Sequence, residues 1–203
     1  MPLLASLTVG DEPDGWRQAG FTVDDDGECR IGSVRVLLRP GGGHKGIRSW
    51  ALDGDDGDGP IDGVPTESDE VAPPAPAEHA NGATSIDHVV LMTPDVDRTV
   101  AALTARGFEA KRQRSSGTYG APMTQVFFRM GEVILELVGP PEPSGDGGPR
   151  FFGLAVTVDD LDATADTLDE RLGDMKEAVQ PGRRIATLRK PDGVRTAIAF
   201  MSA

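Results

Sequence analysis

Two side chains capable of acid–base chemistry sit in otherwise apolar stretches: His88 in IDHVVL and Glu136 in VILELV. A carboxylate inside such a run needs a partner or a proton, because burying a bare charge is costly. His88 or an arginine meets that need, so a structural ion pair accounts for Glu136. A pocket-lining or hydrogen-bonded imidazole likewise accounts for His88. If the two strands are neighbours in one curved sheet, both residues can face one cavity. Further on, QPGRRIATLRK groups Gln180, Arg183 and Arg184. Their planar guanidinium groups suit a carboxylate or phosphate on a ligand. On solvent-facing strands the same arginines balance an acidic surface.

Two other runs suggest chemistry and then fail its requirements. GGGHKG (residues 41–46) has the look of a phosphate loop, which requires Gly-Lys, then Ser or Thr, then a helix. Here Lys45 precedes Gly46 and a strand pattern follows, so a hairpin loop is expected. DGDDGDG (residues 53–59) is acidic, but it is out of register for a calcium loop and lacks flanking helices. It reads as a solvated loop.

The elements that must position these residues follow from periodicity. Asp87 to Thr93 is a strand, and Asp95 caps a helix whose Val96, Val100 and Leu103 share a face. Gly107 stops that helix. Phe108 to Gln113 is a strand. Thr124 to Met130 and Glu132 to Val138 form a hairpin about Gly131. Alternation sets Gln125, Phe127 and Arg129 on one face of their strand, and Ile134 with Glu136 on one face of the next. After a Pro/Gly loop, Phe151 to Val158 is again a strand. Leu161, Ala165, Leu168 and Leu172 form a helical stripe ending at Gly173. Strands at Met175–Val179, Ile185–Leu188 and Thr196–Met201 complete the second half. Upstream, Leu3–Val9, Phe21–Val23, Cys29–Ile31, Ser33–Leu38 and Ile47–Leu52 read as strands, the last carrying Trp50, a candidate aromatic wall for the pocket.

Composition bounds the possibilities. A chain of 203 residues suits one domain with an appendage, and a net charge of −13 argues against a partner held through phosphates. Cys29 is the only cysteine, so no intrachain disulfide can form and a cytoplasmic setting is expected. The opening MPLLASLTVGDEPD lacks the basic lead of a secretory signal, and no apolar run approaches the ~20 residues that span a bilayer. No Lys or Arg occurs between Arg48 and Arg98. Residues 54–83 therefore read as an acidic, Pro/Gly-rich mobile linker. It would separate a unit at 1–53 from a domain at 84–203. Leu3, Leu7, Val34, Val36 and Ile47 need cover, so the first unit is expected to pack on the second.

The domain repeats itself. DHVVLMTPDVDRTVAALTARGF aligns with FGLAVTVDDLDATADTLDERLG, Asp97 on Asp162 and Leu103 on Leu168. A weaker copy precedes it, WRQAGF against LTARGF and IGSVRVLLRP against MGEVILELVGP. One strand–helix–three-strand unit leaves a sheet face uncovered, and two can close a cup. On IDHVVL, the D-V-D/D-L-D helix starts, GEVILELVGP and the repeat, the chain resembles the vicinal oxygen chelate superfamily: glyoxalases, bleomycin-resistance proteins and extradiol dioxygenases. Within it the chain resembles an actinobacterial branch with an extra N-terminal half-unit. The resemblance implies an α+β fold. Paired βαβββ modules (84–140 and 150–203) form a curved mixed sheet with helices outside, plus a degenerate N-terminal half-module. It also implies a soluble protein that can pair as a homodimer.

Members of that superfamily place a divalent metal (Zn, Ni, Fe or Mn) in the cup. Carried over, the first module supplies His88 and Glu136, both suitable donors. The second departs from the pattern, with Gly153 opposite His88, and Ala197 or Ala199 where an acid is expected. Leu37 stands opposite Glu136 in the N-terminal copy. Half of the set remains unless Glu177, His44 or His79 joins it. The resemblance therefore implies a small-molecule binder whose pocket draws on His88, Gln125, Phe127, Arg129, Glu136, Trp50, Gln180 and Arg183. The alternative is a metal-dependent lyase, isomerase or dioxygenase in which His88 and Glu136 hold the metal and Glu136 moves a proton. A filled-in cup that only mediates assembly is the third reading.

Overall fold

The fold comes from a computed structural model describing residues 1–41, 43, 46–71, 78–117 and 121–203. His44 and Lys45 of the GGGHKG run, and residues 72–77 of the acidic segment, lie outside them.

Among the described residues the elements run β1 (Leu3–Val9), α1 (Pro13–Gln18), β2 (Glu28–Ile31), β3 (Val34–Leu38), β4 (Ile47–Asp53) and β5 (Thr66–Ser68). The first repeat follows as β6 (Ala83–Met92), α2 (Val96–Ala105), β7 (Ala110–Ser116), β8 (Met123–Met130) and β9 (Val133–Gly139). The second is β10 (Arg150–Val158), α3 (Leu161–Leu168), β11 (Lys176–Glu177), β12 (Arg184–Thr187) and β13 (Ala197–Ser202). Both helices start on an aspartate: Asp95 Oδ1 accepts from the Arg98 amide at 3.0 Å, and Asp160 Oδ1 from the Asp162 amide at 2.9 Å. The helical stripe expected to reach Leu172 breaks earlier. Asp169 adopts φ +48°, ending α3, and Leu172 is buried instead through a bridge to Leu188. Phe21–Val23 forms no strand; Phe21 packs on Trp16 and Phe200.

The repeats build one eight-stranded sheet in the order β11-β12-β13-β10-β6-β9-β8-β7. Each module pairs its first and last strands in parallel (β6 with β9, β10 with β13), and β6 joins β10 antiparallel. This is the α+β arrangement of paired βαβββ modules. Leu135, Leu137, Ile198 and Phe200 point into the core, and their alternation partners Ile134, Glu136, Ala197 and Ala199 face the cup.

The N-terminal strands form a second sheet, ordered β2-β3-β1-β4-β5. Its centre repeats the larger one: β1 pairs parallel with β3 and antiparallel with β4, and β4 pairs parallel with β5. β4 and β5 thus stand where β10 and β13 stand in the larger sheet. The N-terminal sheet carries the remnant of a second module beyond the half-module expected, and it extends to Ser68.

The two sheets share one hydrophobic core. Trp50 stacks on Phe108 at 5.8 Å and meets Phe151 edge-on at 5.4 Å; Phe21 stacks on Phe200 at 5.9 Å. Asp11 is fully buried between them, accepting from Trp16 Nε1 and from the amides of Gly46, Arg195 and Thr196. Parts of the acidic segment lie against α2. Asp62 accepts from Arg98 Nε at 2.8 Å and from Thr99 Oγ1 at 2.6 Å, and Asp55 pairs with Arg106.

Candidate functional site

The concave face of the large sheet encloses a cavity of about 930 Å³. Both modules line it, and they do so unequally. The first contributes Asp87, His88, Arg112, Arg114, Gln125, Phe127 and Glu136. The second contributes Gly153, Ala155, Ala197, Ala199 and Met201 from its inner strands, and the polar Lys176, Glu177 and Thr187 from its outer ones. A volume of this size lies within the range of small-molecule sites.

A polar chain crosses the first module's wall. Arg114 Nε donates to Gln125 Oε1 at 2.7 Å, and its guanidinium lies 5.2 Å from the Phe127 ring centroid. Arginine can only donate, so the Gln125 carbonyl faces it and the Gln125 amide donates to Glu136 Oε1. Glu136 Oε2 is 3.8 Å from His88 Nε2, beyond hydrogen-bonding distance. His88 Nδ1 lies 2.7 Å from Asp87 Oδ2, and a carboxylate accepts, so the Nδ1 proton is directed there. Arg183 Nη1 closes the chain on Asp87 Oδ1 at 2.6 Å, and its Nε donates to the Ser202 carbonyl. Burial would raise the Asp87 carboxyl. The hydrogen bonds and charges of His88 and Arg183 overcome it and hold the group below the ordinary carboxylate range.

Consecutive residues on a regular strand point to opposite faces, yet Asp87 and His88 both line the cavity. A bulge explains this. Across β6 and β10, His88 pairs with Ala155 and Ile86 with Val156, leaving Asp87 as the extra residue. The second module repeats the device at Phe152, extra between Phe151 and Gly153, which puts Phe152 at the mouth with 50% of its surface exposed.

Of the expected site residues, His88, Gln125, Phe127, Glu136 and Gln180 line the cavity. Three do not. Trp50 is 1% exposed in the seam between the sheets, donating to Thr66 Oγ1, because its strand belongs to the other sheet. Arg129 shares the face of Phe127 but is exposed outside the lining, beside the turn at Gly131. Arg183 is committed to Asp87, and Arg184 to Asp162 on α3. Asp87 and Arg114 are partners that alternation alone did not reveal; the adjacency in IDHVVL was the available signal for Asp87.

The register tests the divalent metal that the fold family implies. Val90 pairs with Glu136 in the first module and Ala155 with Ala199 in the second, so Ala199 occupies the place equivalent to Glu136. Gly153 occupies the place of His88. A Cβ there would stand 2.1 Å from the Ala197 carbonyl oxygen, so no larger side chain fits without a backbone shift. Glu177 lines the cavity as an exposed residue, while His79 is held by Thr22 and Arg30 of the N-terminal unit. Among the described residues no three His, Cys, Asp or Glu side chains group as metal donors. Two donors fall short of the three protein ligands usual in a catalytic zinc site. The donor set does not fit the metal.

A cup closed by two βαβββ modules, with its cavity at their junction, defines the class to which this protein belongs. The chain is a member of the glyoxalase/bleomycin resistance protein/dioxygenase superfamily, whose family model matches residues 75–187. No curated protein matches it significantly. Solved structures share the fold across both sheets. A triple mutant of 4-hydroxymandelate synthase from Streptomyces coelicolor has a TM-score of 0.66 at 14% identity, covering 100% of this chain and 93% of that one. Homoprotocatechuate 2,3-dioxygenase from Brevibacterium fuscum gives 0.62 at 14%, covering 100% and 80%. BphC, a halotolerant catechol dioxygenase, gives 0.63 at 14%, covering 98% and 86%. No helix among the described residues is long and apolar enough to cross a membrane.

Proposed function

We propose that the protein binds a small organic molecule non-covalently in the cup, with a polar end against the first module and an apolar body against the second. The observation that carries this reading is the division of the cavity wall. Hydrogen-bonding groups converge at His88, Gln125 and Glu136 on the first module, whereas β10 and β13 of the second contribute only apolar residues, Ala155, Ala197, Ala199 and Met201 among them; the polar Lys176, Glu177, Gln180 and Thr187 line the cavity from outside those two strands. Such a wall orients an amphipathic ligand: burial of its body supplies affinity and the polar groups set its direction. Family membership supports a small-molecule role. With two donors in place of three, the residues present support binding better than metal-centred lyase, isomerase or dioxygenase chemistry.

The test is a thermal-shift screen of small amphipathic compounds on the full chain, repeated on Ala199→Trp, whose indole projects into the cup and obstructs its apolar side. Compounds that raise the melting temperature of the wild type should lose that effect in the variant. Hits that stabilise both proteins equally would place binding elsewhere and refute the proposal.

A further inference from the structure

With His88 neutral, the cup wall presents two hydrogen-bond acceptors, Glu136 Oε2 and His88 Nε2, to which no described residue donates. Glu136 accepts from Gln125 on Oε1, and Oε2 takes no hydrogen bond from any described residue. Its side chain is 10% exposed, so water reaches it only through the cavity. No Lys or Arg among the described residues pairs with it. In neutral His88 the Nδ1 proton is spent on Asp87, which leaves Nε2 an acceptor, 3.8 Å from Oε2. Of the nearby arginines, Arg183 is paired with Asp87, and Arg114 gives its Nε to Gln125 and lies over the Phe127 ring without bonding Glu136. The remaining cations of the lining, Arg112 and Lys176, are exposed. A carboxylate oxygen that opens only on the cavity takes its donors from water or from a ligand.

We infer that the ligand carries a cationic N–H head, such as a primary ammonium or amidinium group, that bridges Glu136 Oε2 and His88 Nε2. One nitrogen can reach both acceptors, because two bonds of about 2.8 Å span more than the gap between them. A charged donor on a carboxylate makes the stronger class of hydrogen bond, and low polarity in the cup strengthens it further. The apolar body then lies on Ile185, Ala199 and Met201. This specifies the ligand class for the binding role proposed above and rests on it.

Three probes of one shape separate the possibilities: 1-aminohexane, 1-hexanol and hexanoate, titrated calorimetrically into the full-length protein at neutral pH. The amine should bind at least tenfold tighter than either of the others. Glu136→Gln, which retains the acceptor for Gln125, should erase that preference while hexanol binding persists. A preference for hexanoate would hand the head group to Arg112, Arg114 or Lys176 and overturn the inference. An amine preference that survives Glu136→Gln would overturn it too. Binding of alcohol and amine with equal affinity would remove the cationic head but leave the cup reading standing. Binding of none of the three would defeat both.

Discussion

Asp87 does more for the site than any residue that stands out in the sequence. It fixes the His88 ring from one side and is itself held by Arg183. Its carboxyl lies below the ordinary range in the folded state. The stability this confers is therefore complete above the unfolded value near pH ~4 and is lost as pH falls through the lower folded value. Thermal unfolding followed by circular dichroism should show the wild type losing stability below about pH 4, with Asp87→Asn flatter over that interval. At pH 7 the variant should be less stable by about 2 kcal/mol, since two charge-assisted bonds weaken. An unchanged acid limb would mean that Asp87 is not the titrating group. His88 and Glu136 were legible as chemistry because each interrupts an apolar run. Gln125, the partner of Glu136, was on the expected pocket face, but Asp87 was not, because alternation sends it to the opposite face and only the bulge returns it.

At the scale of elements, the strand registers explain what repetition left unused. The inner strands of the two modules correspond, so the polar lining residues of β6 and β9 have counterparts on β10 and β13. Glu136 is matched by Ala199, His88 by Gly153 and Asp87 by Phe152. The part of the cup lined by β10 and β13 is thereby apolar, while Lys176, Glu177, Gln180 and Thr187 bring polar groups from elsewhere in the second module. Restoring one donor by Ala199→Glu should create a three-donor site with His88 and Glu136. Calorimetry with zinc should show affinity rising at least tenfold over the wild type. The gain should vanish when His88→Ala is added. A gain that persists without His88 would show that the register equivalence does not bring the groups together. Gly153 offers no such route, since a Cβ there would collide with the Ala197 backbone.

Across the whole molecule, the N-terminal sheet packs through Trp50, Phe21 and the buried Asp11 rather than contributing to the cup. Asp11 accepts two amides at the start of β13 and two donors from its own unit, so it ties the sheets together. Asp11→Ala leaves four buried donors without that acceptor and should cost about 3 kcal/mol or more. Urea unfolding should show a lower midpoint. No change in midpoint would mean that the junction is held by the aromatic seam alone. Trp50 was a reasonable pocket candidate while its sheet was unknown, and the chain's division into two sheets sends it to the seam.

By itself the sequence determined the modules, their helix caps and the placing of His88 and Glu136 on the first and last strands of one module, because these depend on periodicity, capping chemistry and repetition along the chain. It also showed that the second module departs from the metal pattern, with Gly153 opposite His88 and Ala197 or Ala199 opposite Glu136; the strand register selects Ala199. Only the tertiary structure decided which faces meet. The bulges at Asp87 and Phe152, the commitment of Arg183 to Asp87, the seam around Trp50 and the strand pairing of β5 all depend on contacts between residues distant in sequence. Local preferences carry no record of those contacts.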